Sequence, residues 1–314
     1  MTARPATQPD APTEARNPRT LDIDLVPVRD ILRMLNEEDA RVAVAVAGSL
    51  DDLARGVELA HDRVRSGGRV HYFGAGTSGR LAVLDAAELP PTFGLDADVV
   101  VAHHAGGAAA LTAAAENVED DTGLAERDAA GVSARDFVVG LTASGHTPYV
   151  RAALAASRRR GAATMLVTAN PASPLAALVD VAVVCDTGPE AIAGSTRLKA
   201  GTAQKLVLNG FSTALMVRLG RTYSNLMVTV VATNAKLRRR SVNLLVEATG
   251  LPVERCQQAL AEAAGDVRVA LVSLLTGCGV AAARTSLTPA GGVVRDAVRG
   301  STPPVRQRRG GAES

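Results

Sequence analysis

Residues 70–94, VHYFGAGTSGRLAVLDAAELPPTFG, constrain the fold more than any other stretch of this chain. The apolar run 70–73 is long enough for one buried strand. It breaks at Gly74-Ala75-Gly76-Thr77-Ser78-Gly79, and beyond the break Leu81, Val83, Leu84 and Ala87 recur at helical spacing. Pro90-Pro91 marks the expected end of that helix, because proline has no N–H to give and clashes with the preceding turn. The order is strand, glycine loop, helix, stop. A helix start presents unpaired N–H groups and the positive end of a dipole, which suits a phosphate. Thr77 and Ser78 set two hydroxyls where such an anion would lie.

The loop also fits G-x-G-x-x-G, a weak signal when it stands alone. A nicotinamide site needs an acidic residue roughly 20 residues further on. Here the next apolar stretch, 97–102, runs instead into His103-His104. A nucleotide P-loop is excluded because no Lys follows the last glycine. Hydroxyls inside the loop suit a small polar phosphate such as a sugar phosphate, and a glycine-rich turn that binds nothing is the alternative.

The rest of the chain supplies partners for that strand. Apolar runs at 97–102, 137–141, 164–168 and 179–185 read as four more strands, with helical stretches between them. Alternating strand and helix predicts α/β architecture: a parallel five-stranded sheet sandwiched between helices. In such sheets ligands bind outside the carboxyl ends of the strands. A second hydroxyl-bearing loop, Thr142-Ala143-Ser144-Gly145-His146-Thr147, lies at that edge, with Pro148 in the first turn of the following helix. Upstream, a short helix ends near Asn36, and 39–66 is mostly helical with a break at Gly48-Ser49, where Ser49 is placed to cap the second half. Downstream, long helices are expected from Ser195 to Leu219 and over 226–247, followed by three short C-terminal helices. The expected domains are a disordered tail 1–20, N-terminal helices 21–59, a phosphate-binding domain 60–223, a helical region with a small bundle 224–300, and a disordered tail 301–314.

Composition narrows the function. The net charge is +2 with acids and bases interspersed, which argues against a dedicated nucleic-acid surface. Lys236, Arg238, Arg239 and Arg240 read as a solvated helix face. Cys185, Cys256 and Cys278 show no metal spacing and read as small apolar residues, in keeping with a reducing cytoplasm. No apolar run is long enough for a membrane span, and the first 20 residues lack a secretory apolar core.

Two carboxylates stand out. Glu88 falls in the last turn of the helix that starts at the glycine loop, where carbonyl dipoles disfavour its charged form, as a general acid requires. Asp85, one turn earlier, adds like charge. Glu119 falls at the end of an expected helix 108–119, three residues after Glu116. A solvated surface carboxylate is the alternative for each.

GAGTSGRLAVLDAAELPPTFG resembles the signature of the N-acetylmuramic acid 6-phosphate etherases, members of the sugar isomerase (SIS) superfamily. LTASGHTPYV (141–150), GPEAIAGSTRLKAGTAQKLVLNGFSTALM (188–216) and NLMVTVVATNAKLRRRSVNLL (225–245) resemble further blocks of that family, and the similarity spans about residues 21–300. The resemblance implies the SIS fold with a small C-terminal three-helix bundle. It implies catalytic acids at Glu88 and Glu119, with no metal or redox cofactor. It further implies elimination of lactate and re-addition of water, a cytoplasmic role in cell-wall amino-sugar recycling, and a homodimer with the site near the interface. Sugar-phosphate contacts fall on Gly76, Thr77, Ser78, Gly79, Ser144, Gly145 and Thr147. Glu190, Ser195, Thr196 and Lys199 are placed at the sugar or the partner subunit, with a structural cap or salt bridge as the alternative. His146 departs from the family, in which an Arg is expected. His103 and His104 are candidates for assisting ring opening, or ordinary loop histidines. An aldose–ketose isomerase, a non-catalytic sugar-phosphate sensor and a transcription regulator with an SIS sensor are the rival functions.

Overall fold

The structure, a computed structural model, describes residues 11–113, 117–229 and 235–301, and no side chain is described at 235 and 236. Glu116, the Lys236 side chain and the tail 302–314 lie outside the described residues. The chain divides into two compact units, one from residues up to 90 with 95–215, the other from 91–94 with 216 onward.

The first unit opens with α1 (Val28–Asp39), α2 (Val42–Ala47) and α3 (Leu50–Arg65). Then β1 (Val70–Gly74), α4 (Gly76–Phe93), β2 (Val100–His104), α5 (Ala109–Thr112), α6 (Thr122–Asp128), β3 (Phe137–Leu141), α7 (Pro148–Arg159), β4 (Ala163–Thr168) and β5 (Val181–Val184) lead to α8 (Lys199–Arg218). The five strands form one parallel sheet in the order β2-β1-β3-β4-β5. Every residue of β1, β3 and β4 is buried, as a parallel sheet covered on both faces requires. On one face Phe73 and Val138 join Tyr149, Val150 and Leu154 of α7. On the other, Phe211 of α8 packs edge-on to Tyr72 and stacks with Phe137, at 6.2 and 5.8 Å between ring centres. There α3 comes so close to β4 that a Cβ on Gly56 would lie 2.4 Å from Met165 Sδ.

Sheet order fixes where a ligand can sit. From β1 the chain crosses to β2 on one side and then to β3 on the other, so the strand order reverses between β1 and β3. The crevice at such a switch point, outside the strand ends, is the binding place of open α/β sheets. The loops after β1 and β3 are the two that flank it.

Several expectations are corrected. Residues 11–20, placed in a disordered tail, are folded: Ala11, Thr13, Asn17 and Thr20 are buried, and the Thr20 hydroxyl donates to the Ala191 carbonyl at 2.8 Å. Ser49 precedes α3 but does not cap it, since its hydroxyl donates to the Val184 carbonyl. The prolines do not stop α4. It runs on to Phe93 and ends at Gly94 with φ +57°, where Thr229 Oγ1 meets the Phe93 carbonyl and Arg221 meets that of Gly94. Pro90 and Pro91 remove the bonds to Ala86 and Ala87, but the burial of Leu89 and Phe93 favours continuing the helix. The helix expected over 108–119 is a single turn, α5, among the described residues. Ser195 to Leu198 form turns that precede α8 rather than its first residues.

The second unit begins with a hairpin, β6 (Thr222–Tyr223) and β7 (Leu226–Met227), where the sequence suggested helix from 226. Ser224 at φ 52° makes the turn. Then come α9 (Ala235–Thr249), α10 (Val253–Glu262), α11 (Val267–Thr276) and α12 (Val280–Leu287), with α13 (Val294–Ser301) added to the expected bundle. Their core is Leu245, Cys256, Ala259, Val269, Leu271 and Ala283. Among the described residues no single helix is long and apolar enough to cross a membrane. α11 and α12 together reach that length and composition, but only as a pair bent by 110°.

Candidate functional site

The loop after β1 is built by close approach. A Cβ on Gly74 would lie 2.7 Å from the Gly79 nitrogen, and a Cβ on Gly79 would lie 2.5 Å from both the Gly74 oxygen and His104 Cδ2. Neither position accepts another residue without shifting backbone, so Gly79 serves the packing of helix on strand. Gly76 adopts φ +53° and faces open space. The first turn of α4 carries Thr77, half-buried, and Ser78, buried. Neither hydroxyl has a hydrogen-bond partner among the described residues, and both stand beside the N–H groups that begin the helix.

The loop after β3 holds itself. Thr142 Oγ1 lies 2.7 Å from Thr147 Oγ1 and accepts from the Gly145 N–H at 3.2 Å. Asn170 Nδ2 donates to the Ser144 carbonyl at 2.8 Å, and Ser173 Oγ to the Gly145 carbonyl at 2.8 Å. Gly145 has φ +75°, and a Cβ there would lie 2.5 Å from Ser173. Ser144 and Thr147 are thus set in a stiff turn. The exposed His146 ring bonds back to the Ser144 carbonyl at 2.9 Å.

At the start of α8 the sequence placed four candidates, and the structure divides them. Glu190 is fully buried and caps the helix: its two carboxylate oxygens accept from the Lys199 and Ala200 N–H groups, each at 2.9 Å. Burial pushes its pKa up, against those two bonds. Lys199 is 1% exposed, and its ammonium meets Glu38 Oε2 at 2.7 Å. Glu38 also takes the Arg19 guanidinium, with Nη2 at 2.8 Å, and Asn17 Nδ2 at 2.8 Å. The Arg19 bond above all, with Lys199 and Asn17, holds the Glu38 carboxyl at about 2. For Glu190 and Lys199 the structure thus shows the alternative reading, a buried cap and a buried ion pair. Ser195 and Thr196 stay half-buried just before the helix. Thr77 is near Thr196, since a Cβ on Gly201, in the first turn of α8, would lie 3.3 Å from the Thr196 carbonyl oxygen and 3.5 Å from Thr77 Cγ2.

Glu88 is exposed on α4, five residues before its end, so the helix-end argument for a protonated carboxyl loses its premise. Asp85 turns the other way: buried, it accepts from Tyr72 Oη at 3.1 Å and Ser212 Oγ at 3.0 Å, and burial raises its pKa. It anchors α4 to β1 and α8 and leaves Glu88 facing solvent. Glu119 is exposed in a turn between α5 and α6, its carbonyl accepting from the Tyr149 N–H at 2.9 Å. Neither the Glu88 nor the Glu119 carboxylate has a partner among the described residues.

Comparison with known proteins places this geometry. A model of the N-terminal SIS domain of glucokinase regulatory protein matches residues 52–158, and the general SIS domain model matches 109–214. The N-acetylmuramic acid 6-phosphate etherase of Thermobifida fusca is 64% identical over 85% of this chain and 88% of its own length. The chain belongs to that etherase family. The etherase of Cronobacter sakazakii is 48% identical over 91% of this chain and 97% of its own. A phosphoheptose isomerase structure from Francisella tularensis shares the fold, with a TM-score of 0.51 at 16% identity, covering 61% of this chain and all of that one.

Sequence reading gave no role to Thr142, Asn170 and Ser173, which stiffen the second loop, or to Glu38, which neutralises Lys199. Thr142 was inside a quoted motif and could have been found there. Glu38 had no local signal, because its partner is 161 residues away. Also missed was the partner of His103: buried His71 places Nδ1 3.1 Å from His103 Nε2, and half-buried His103 stacks on Phe73 at 4.3 Å.

Proposed function

We propose that this protein cleaves the lactyl ether of N-acetylmuramic acid 6-phosphate, as a carbon–oxygen lyase releasing D-lactate and N-acetylglucosamine 6-phosphate. The observation that carries the reading is the match to etherases, 64% and 48% identical over 85% and 91% of this chain, and the state of the acidic side chains agrees with it. Asp85, Glu190 and Glu38 are consumed by structural bonds, whereas Glu88 and Glu119 are left exposed and unpartnered among the described residues, within a chain of the etherase family.

The phosphate lies on the loop Gly76-Thr77-Ser78-Gly79 and on Ser144, Gly145 and Thr147, with Thr196 near Thr77 and Ser195 next to it in the chain. In the ring-opened substrate the aldehyde acidifies the C2 proton. Glu119 takes that proton, and the electron pair forms the enolate. The enolate collapses to a C2–C3 double bond and expels the lactyl oxygen from C3, which Glu88 protonates. Water then adds at C3 and a proton returns to C2. The two carboxylates can exchange roles without changing the balance.

Helix geometry supports a homodimer with a shared site. Twelve residues separate Gly76 from Glu88, about 18 Å along α4 at the usual helical rise. That span exceeds the reach from the phosphate of a hexose 6-phosphate to its C2. The loop and the Glu88 that act on one substrate therefore come from two copies. The exposed face around Glu88 includes Leu84, 44% exposed, and Ala87, an apolar surface suited to a second copy. A charged sugar phosphate does not cross a membrane unaided, which supports a cytoplasmic location.

The test is mass spectrometry of N-acetylmuramic acid 6-phosphate incubated with the protein in ¹⁸O-water. Unlabelled lactate and ¹⁸O at the sugar C3 are expected. Label in the lactate instead would mean cleavage on the lactyl side and would overturn the mechanism. Binding of the sugar phosphate without lactate release would make the protein a sensor.

A further inference from the structure

Where β2 ends, His104 sits beneath the phosphate loop, 6% exposed. Its Nε2 is 3.2 Å from the Gly76 carbonyl oxygen. Its Cδ2 is so close to α4 that a Cβ on Gly79 would overlap it. One ring thus touches both ends of the Gly76–Gly79 turn. Its own position is fixed by the β1–β2 ladder, in which His104 pairs with Gly74 and the next N–H, Ala105, donates to the Gly74 carbonyl at 3.0 Å.

We infer that His104 is a positioning residue for phosphate binding, acting through the Gly76 carbonyl. The inference rests on the reading that this loop holds the phosphate. A carbonyl oxygen only accepts, so Nε2 carries the hydrogen. Nδ1 is buried and has no hydrogen-bond partner among the described residues. A hydrogen there would be an unmet buried donor, which is unfavourable, so the tautomer with its hydrogen on Nε2 is the favoured one. The consequence lies in the planar peptide that joins Gly76 to Thr77, whose C=O and N–H point in opposite directions. Holding the Gly76 carbonyl inward on the buried imidazole turns the Thr77 N–H outward, toward the anion. Gly76 is the first residue of α4, so its carbonyl also enters the helix ladder, and the imidazole adds a second hold on it.

Two measurements test this. In the wild-type protein, ¹⁵N NMR of the His104 ring is expected to show hydrogen on Nε2 and a bare Nδ1. Hydrogen on Nδ1 alone would overturn the proposal, and this needs no variant to fold. In steady-state kinetics, His104→Leu is expected to raise KM for N-acetylmuramic acid 6-phosphate roughly 5- to 10-fold, the worth of one hydrogen bond, with kcat nearly unchanged. The Kd for N-acetylglucosamine 6-phosphate should rise in parallel. His104→Gln, whose amide can still donate to Gly76, is expected to restore both, and a loss that Gln does not repair would mean a packing role only. Ser78→Ala and Thr77→Val provide the reference. If they weaken sugar-phosphate binding and His104→Leu does not, the positioning role is wrong and the loop reading stands. If neither hydroxyl variant changes binding, the loop reading itself fails.

Discussion

The start of α8 and the outer face of α4 both carry acidic and apolar residues, yet they treat charge in opposite ways. At α8, Glu190 caps two N–H groups and Lys199 neutralises Glu38, and all three side chains are buried. Burial there demands that each charge be met, and each is. On α4, Asp85 faces inward and is met by Tyr72 and Ser212, while Glu88, one turn on, is exposed and unpartnered among the described residues. Charge bound up in the structure cannot exchange protons with a substrate; charge left over can. The contrast separates charges that hold the fold from charges left free to meet a substrate.

The sharpest way to break this contrast is to remove the free charges. Glu88→Gln and Glu119→Gln are each expected to reduce lactate release by roughly 10²–10⁴-fold, the usual worth of a general acid or base, without moving the thermal midpoint. A tenth or more of the activity surviving in either would end its assignment. Mixing subunits sharpens the point further. Thr77→Glu, which sets a carboxylate at the phosphate loop, and Glu88→Gln are each inactive in this scheme. Mixed dimers hold one doubly altered site and one intact site, so an equal mixture is expected to recover about a quarter of wild-type activity. No recovery after confirmed subunit exchange would place both groups of a site on one chain.

The bound charges should respond in the other currency, stability. Glu38→Gln leaves the Lys199 ammonium buried without its counter-charge and is expected to destabilise by about 3–5 kcal/mol in urea titration. Lys199→Met should cost less, because Glu38 keeps Arg19 and Asn17. Equal losses would show that the Arg19 contact contributes nothing. If Lys199→Met instead spares stability and raises KM, Lys199 belongs with the sugar after all.

The same contrast explains what could be read in advance. Strand positions were legible because each is a short apolar run, and the loops because glycines and hydroxyls cluster at strand ends. Gly79 was legible as a glycine, but its reason, contact with the Gly74 carbonyl and His104, needs three elements in place. The stop of α4 was misread because proline is a strong local signal and the bonds from Thr229 and Arg221 that settle the end are distant in sequence. Residues 11–20 look disordered by composition, but Asn17 and Arg19 are ordered by Glu38 and Thr20 by Ala191. Glu190 and Lys199 were singled out because they carry charge in a motif that resembles the family. Whether a charge is free or bound depends on its partners, and a pattern of residue types does not show them.

The smallest effect tests a half-buried histidine of the first unit that neither role uses. Burial, with His71 close by, lowers the His103 pKa to about 4, while Asp128 opposes the shift. His71 is also lowered, by burial first, with Asp136 raising it and Arg69 lowering it further. In the unfolded chain both return to about 6.5. The unfolded state then binds more protons between these values, so stability is full above about pH 6.5 and falls as pH drops toward 4. For His103 the loss is on the order of 3 kcal/mol once both states are protonated. Glu38 adds a second decline at lower pH, from about 4.5 toward 2, as its ion pairs with Arg19 and Lys199 are titrated away. His103→Phe keeps a ring on Phe73 and should flatten the decline between pH 6.5 and 4 while leaving the lower one in place. Glu38→Gln should do the reverse. If His103→Phe leaves the upper decline unchanged, the acid sensitivity lies elsewhere, and the His71–His103 pair is not where the buried sheet meets protons.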